Sequence, residues 1–309
     1  MQLTTVIFDL GGVVLDWQPE RAFEQVMPAA DVPGFLERVG FAAWNRANDL
    51  RARIGDAEDE LVRRFPADED GIRGYRRHFL HSVTGMVPGT AAVIAELAGS
   101  GVRLGALTNW VEETFLLTRD RFGVLDRFAD IVVSGSEGIA KPDPAIFRLA
   151  CERMGVEPEE AVFIDDAPAN VEAATALGMT GLRFTDAGHL RSDLLGLGLL
   201  GEPAAVTGPV FHLTLRDLWD AALAAGEYPW STSGVSYERE GFVHCSFANQ
   251  VEETRRRVHP GVADDGLALL EFDASALPVV VENGYPHLFA PLPVDRVRVV
   301  RPRGDGGPS

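Results

Sequence analysis

Thr5-Val6-Ile7-Phe8-Asp9-Leu10-Gly11-Gly12, near the start of a 309-residue chain, is an apolar β-branched run that ends on a carboxylate and two glycines. Such a run with turn residues behind it reads as a buried strand, here Thr5–Leu10. Similar runs recur at Val102–Thr108, Ile131–Ser134, Ala161–Ile164 and Gly181–Phe184. Helical patterns separate them, and this alternation predicts an α/β, Rossmann-like fold with a parallel sheet and crossover helices. Pro19 to about Met86 has a different texture, helical, aromatic and rich in arginine and acid, with no convincing strand. It reads as a helical cap inserted after the first strand (about 17–86), of the kind that serves as a lid over a site at the strand ends.

In an open parallel sheet, ligands gather at the carboxyl ends of the strands. Asp9, Thr108-Asn109 and Asp165-Asp166 each follow an expected strand, and Lys141 stands in the loop Gly138–Pro144 after Ile131–Ser134. Lys141 is the only lysine among 28 basic side chains. Arginine offers a planar fork, whereas lysine is a compact point charge able to sit between two carboxylates, so a lysine kept here has chemistry that arginine cannot do. Asp143-Pro144 reads as an N-cap with proline at the first helical position, fixing the Lys141 loop against a helix. Asp165-Asp166 also have a reading as caps of a helix over Pro168–Leu177, ended by Gly178.

Together these features resemble the haloacid-dehalogenase superfamily, in its phosphatase branch with a helical cap, over residues 4 to 190. Phe8–Val13 resembles the first motif, Leu107-Thr108-Asn109 the second, Lys141-Pro142 the third, and Phe163–Asp166 with Asn170 the fourth. The resemblance implies that Asp9 is the nucleophile and forms an aspartyl-phosphate. It implies that Thr108 and the Asn109 backbone hold phosphate oxygens and that Lys141 neutralises the nucleophile and the transferring group. Asp166, with Asp165, would join Asp9 and the Gly11 carbonyl around Mg²⁺. A carboxylate attacking a phosphate dianion meets repulsion that a divalent cation and an ammonium offset. Gly12 lets backbone approach the phosphate. Substrate choice is expected from cap residues such as Trp17, Trp44, Asn45 and Arg46.

One position departs from the family pattern. The usual first motif carries a second aspartate two residues after the nucleophile as general acid and base, and this chain has Gly11 there. A substrate with a good leaving group, such as a sugar 1-phosphate, would need little protonation, and a glucose-1-phosphate phosphatase of the superfamily has a similar Phe-Asp-Leu-Gly pattern. Asp16 is the nearest acid able to stand in, although it also reads as a cap of the helix that Pro19 begins. Two alternatives stay open: a catalytically silent ligand-binding module, and a haloacid dehalogenase, whose branch also lacks the second aspartate but dispenses with the metal that Asp165-Asp166 favour.

A glycine- and proline-rich stretch, 196–209, reads as a linker. Beyond it, 210–303 predicts a small α+β domain, with strands at Val210–Thr214, Ala268–Phe272, Pro278–Val281 and Val297–Val300, a helix at Arg216–Ala225 and a disordered tail at 304–309. Phe211–Thr214, Gly241–Ser246 and Tyr285–Phe289 resemble the bacterial domain-of-unknown-function 952 family, which has been grouped with ADP-ribosyltransferase-like folds. That grouping implies NAD binding, with His212 and His244 as candidate site residues. His212, His244, Cys245 and His287 are too widely spaced for common zinc motifs, and buried, hydrogen-bonded histidines are expected. The net charge of −18 argues against nucleic acid as a partner. Arg255-Arg256-Arg257 reads as the solvated face of a short helix. No stretch approaches the ~18 apolar residues of a membrane span. The absence of a basic leader and the two cysteines in separate units predict a cytoplasmic protein acting on a small phosphorylated molecule.

Overall fold

The computed structural model describes residues 2–201, 206 and 208–300. The expected tail 304–309 and part of the expected linker, 202–205 and 207, lie outside the described residues. Five strands build the first unit's sheet: β1 (Thr5–Phe8), β4 (Arg103–Thr108), β5 (Asp130–Val133), β6 (Ala161–Asp165) and β7 (Thr180–Arg183). The numbers β2 (Leu15–Trp17) and β3 (Val83–Met86) belong to a separate antiparallel pair. The sheet runs β5-β4-β1-β6-β7, parallel throughout. Its central strand, Thr5–Phe8, is buried along its whole length, as a strand covered by helices on both faces must be.

Local chemistry sets the helices that frame the rim. Asp143 accepts a hydrogen bond from the Ala145 backbone at 2.9 Å, Pro144 opens the helix Pro144–Met154, and Gly155 closes it at φ 65°. Pro168–Leu177 likewise ends on Gly178. Short helices from Glu20 to Ser82 form the cap, packed on Phe23, Phe35, Phe41, Tyr75 and Phe79. The expectation of no strand in this region is corrected. Val83–Met86 pairs with Leu15–Trp17, so the cap is entered and left through a two-stranded ribbon. Leu199 and Leu200, assigned to a linker by their glycine-rich setting, are buried in the core of the first unit.

The second unit contains β8 (Pro209–Leu215), β9 (Trp230–Thr232), β10 (Val235–Ser236), β11 (Val243–His244), β12 (Leu267–Asp273), β13 (Val279–Glu282), β14 (Tyr285–Leu288) and β15 (Arg298–Val300). These form antiparallel sheets β15-β12-β8 and β11-β14-β13 with a small β9-β10 pair, and the helix Arg216–Ala225 packs on them. Arg255–Arg257 lie on the helix Val251–Val258. The two units are in contact. Arg127 of the first unit donates to both oxygens of Glu282 at 2.7 and 3.0 Å, and its guanidinium lies over the rings of Phe242 and Phe289. No helix among the described residues is long and apolar enough to cross a membrane.

Candidate active site

At the carboxyl edge of the sheet, β1 delivers Asp9, β4 delivers Thr108 and Asn109, and β6 delivers Asp165 and Asp166. Lys141 reaches between them. Its Nζ lies 2.9 Å from Asp9 Oδ1 and 2.7 Å from Asp165 Oδ2, and it donates to the Leu107 carbonyl at 2.9 Å. Three acceptors converge on one buried nitrogen, a demand that an ammonium with three donors meets and a planar guanidinium does not. The Asn109 side chain fixes the lysine loop, accepting from Lys141 N and donating to Lys141 O at 2.9 Å each. This clamp was not anticipated from the sequence, where only the Asn109 backbone was given a role.

Charge and burial compete in this cluster. Burial alone would lower the Lys141 pKa, but the charges of Asp9 and Asp165 overcome it and hold the ammonium above its ordinary value. Burial drives the Asp9 carboxyl up, the Lys141 ammonium opposes the rise, and the Asp165 charge adds to it. For Asp166, burial and then the neighbouring Asp165 charge act upward.

The two members of the acidic pair differ. Asp165 is fully buried, and both its oxygens are engaged by Asn170 Nδ2 at 3.1 and 3.0 Å, the first also by Ala167 N and the second by Lys141. Asp166 is exposed to the cavity. Oxygens of Asp9, Asp165 and Asp166 lie within 4.8 Å of one another, a hard-oxygen set of the kind that suits Mg²⁺. Gly12 makes room for it: its φ is +76°, and a Cβ there would meet Asp166 Oδ2 at 3.0 Å. At Gly11 a Cβ would meet nothing within 4 Å.

A cavity of ≈ 710 Å³ opens over Asp9, bounded by Gly11, Gly12, Thr108, Asn109, Lys141 and Asp166 from the core. The cap contributes Asn45 and Arg46 with Trp17, Leu36, Phe41, Ile54 and Phe79. Trp44 is the exception among the expected substrate contacts. It does not line this cavity; it packs against Phe41 and Tyr75 and donates to Ala57 O at 3.2 Å, so its role is in the cap core. Asp16 is absent from the lining too, its carboxylate held by Gln18 Nε2 at 2.7 Å and Thr84 Oγ1 at 2.5 Å.

In the second unit, His212 is buried with both ring nitrogens occupied, Nδ1 by the His244 carbonyl and Nε2 by the Tyr228 hydroxyl, at 2.7 Å each. Burial pushes its pKa down to about 4, keeping it neutral. His212 therefore braces β8 and offers no free nitrogen to a dinucleotide, which corrects its expected NAD contact. His244 is partly exposed, 3.6 Å from Glu240, and His287 pairs with Glu282 at 3.0 Å. Both cysteines are free and buried.

A family model described as haloacid dehalogenase-like hydrolase matches residues 3–178, and one described as a protein of unknown function (DUF952) matches 213–300. The sesquiterpene phosphatase astK of Aspergillus oryzae is 27% identical over 188 residues, spanning 58% of this chain and 89% of that protein. A phosphoglycolate phosphatase of Rhodospirillum rubrum is 33% identical over 204 residues, spanning 63% and 84%. A solved HAD family enzyme from Bacteroides thetaiotaomicron aligns with 62% of this chain and 98% of its own at 20% identity, with a TM-score of 0.46.

Proposed function

Because the chain belongs to the haloacid dehalogenase-like hydrolase family and has phosphatases among its relatives, we propose that it is a Mg²⁺-dependent phosphatase of a small phosphorylated metabolite, acting through an aspartyl-phosphate at Asp9. The observation that carries this reading is the buried Lys141 ammonium, 2.9 Å from the Asp9 carboxylate beside an acidic trio. Phosphoryl transfer is governed by positioning and charge. Asp9, lying at the floor of the cavity, attacks phosphorus. Lys141 offsets the charge that builds on Asp9 and the phosphoryl oxygens, while Thr108 and the Asn109 backbone orient those oxygens. Asp165 is committed to holding Lys141. Asp9, Asp166 and the Gly11 carbonyl are the groups that would hold Mg²⁺, which when bound supplies the charge neutralisation a carboxylate needs to approach a phosphate dianion. A metal-free dehalogenase reading leaves the exposed Asp166 beside Asp9 without a task.

A sugar 1-phosphate fits the absence of an acid at Gly11, and Asn45 and Arg46 are suited to its hydroxyls. The aromatic and aliphatic side chains of the cap favour a second reading, phosphomonoesters with a partly apolar body. The test is phosphate release from a panel holding both types, by wild-type protein and Asp9→Asn, with and without a chelator. Release abolished by the substitution and by chelation is expected. Ligand binding without release from any substrate would favour the silent module instead.

A further inference from the structure

Gly11 leaves the reaction without its usual proton donor, and Asp16 is turned away on the entry ribbon, bound to Gln18 and Thr84. Of the acidic residues lining the cavity besides Asp9 and Asp166, Glu20 and Glu37 are exposed and Asp49 is half-buried. Asp49 ends the cap helix Phe41–Asn48 and completes a stripe, Ala42, Asn45, Arg46 and Asp49, at i, i+3, i+4 and i+7 spacing. All four line the cavity that contains Asp9, Thr108 and Lys141.

The core, and not only the cap, fixes this loop. Ser134 Oγ donates to Asp49 O at 2.5 Å. Glu112 N donates to Arg51 O at 3.3 Å, Glu113 N to Ala52 O at 3.0 Å, and Ile54 N to Glu113 Oε2 at 3.2 Å. The approach is close enough that a Cβ on Gly135 would lie 2.5 Å from Arg51 O. Asp49 is thus suspended over the sheet rim by contacts from two core elements. Among the described residues no hydrogen bond reaches its carboxylate, and Phe41, Ile54 and Tyr75 line the same cavity. Burial pushes it up to about 7, with Lys141 opposing, Asp9 adding and Arg46 opposing. A carboxyl in such a setting keeps its proton near neutrality and gives it up readily.

Building on the phosphatase reading, we propose that Asp49 of the cap is the general acid and base that Gly11 fails to supply. In the first step an Asp9 oxygen bonds to phosphorus and the ester P–O bond breaks. Its electron pair stays on the ester oxygen, which takes the Asp49 proton and leaves as an alcohol. In the second step the Asp49 carboxylate takes a proton from water and the oxygen of that water bonds to phosphorus. The P–O bond to Asp9 then breaks, restoring the Asp9 carboxylate and releasing phosphate, and Asp49 is again protonated.

The test compares wild type, Asp49→Asn and Asp16→Asn, each checked for an unchanged melt, on an alkyl phosphate and on 4-nitrophenyl phosphate. Wild-type turnover of these esters tests the phosphatase reading by itself. If Asp49 is the acid, Asp49→Asn slows the alkyl ester by ~10²–10⁴-fold. The same variant gives a burst of nitrophenolate at near wild-type rate, because that leaving group departs unprotonated, followed by slow turnover because water activation is lost. Asp16→Asn keeps the wild-type ratio between the two esters. Equal losses on both bursts, no loss in Asp49→Asn, or a leaving-group-dependent loss in Asp16→Asn would overturn the assignment. If Asp49→Asn melts early, Asp49→Glu, which keeps the acid but moves it by one methylene, is measured instead: a slower alkyl ester with a near wild-type nitrophenolate burst is expected, and a loss of equal size on both esters refutes it. A wild-type protein that releases phosphate neither from these esters nor from any member of the panel sinks the phosphatase reading and this inference with it.

Discussion

Replacing Lys141 by methionine removes the one positive charge between two buried carboxylates while nearly conserving volume. In the intact chain the Lys141 side chain is 1% exposed, Asp165 0% and Asp9 12%, so solvent cannot take over the role of the ammonium. Breaking a buried ion pair from one side costs ~3–5 kcal/mol, since the remaining charge stays behind uncompensated. For a unit of about 150–250 residues each kcal/mol is worth roughly 2–4 °C, so a fall of roughly 6–20 °C in Tm follows. The loss depends on pH, and its sign follows from Asp9. Burial already holds that carboxyl above its ordinary value against the pull of Lys141, and the variant removes the pull. A carboxyl whose folded pKa is raised above the unfolded one retains its stability below the unfolded pKa and loses it as pH climbs through the folded value. Thermal melts with chelator at about pH 5 and about pH 8 should therefore show a deficit that is small in acid and large in base. A Lys141→Met protein that melts with wild type at the higher pH, or suffers more at the lower one, would refute the picture of a cation neutralising two buried acids.

Lys141→Arg should fold better than Lys141→Met yet release phosphate at least ~10²-fold more slowly, because a planar fork cannot place donors on Asp9, Asp165 and the Leu107 carbonyl at once; steady-state phosphate release measures it. Gly12→Ala puts a Cβ 3.0 Å from Asp166 Oδ2 at a φ of +76°, so a loss of about 1 kcal/mol in stability and weaker Mg²⁺ binding are expected from melts and metal titration. Gly11→Asp meets open space and should melt within about 1 kcal/mol of wild type. Arg127→Ala removes a two-pronged contact between the units and should cost about 1.5–3 kcal/mol in urea melts. Burial pushes Glu282 upward, but His287 and Arg127 overcome it and hold the carboxyl down at about 2, so the contribution of this contact is present above the ordinary value of 4.5 and fades as pH falls from there toward about 2.

The fold was legible where the local signal and the tertiary demand coincide. Thr5–Phe8 is buried on both faces and reads as a continuous apolar run, and Asp143-Pro144 starts its helix by hydrogen bonding within a few residues. Val83–Met86 was not legible, because its partner is Leu15–Trp17 and nothing local announces so distant a pairing. Trp44 was grouped with Trp17, Asn45 and Arg46 as a cap residue expected to set substrate choice. Helical geometry turns neighbours about 100° apart, and the indole faces the cap core instead. The same geometry puts Asp49 on the face of Asn45 and Arg46, and all three line the cavity. His212 had two readings, an NAD contact and a buried, hydrogen-bonded histidine, and the second holds: two partners remote in sequence, Tyr228 and the His244 carbonyl, saturate it.

The most direct measurement is to mix the protein with a turned-over phosphate ester and Mg²⁺, quench in acid within the first turnovers, and locate the bound phosphoryl group by peptide mass spectrometry. One phosphoryl group is expected on the peptide containing Asp9, and none on that peptide of Asp9→Asn. A phosphorylated residue elsewhere, or phosphate released with no phosphoryl group ever on Asp9, would contradict the proposed aspartyl-phosphate.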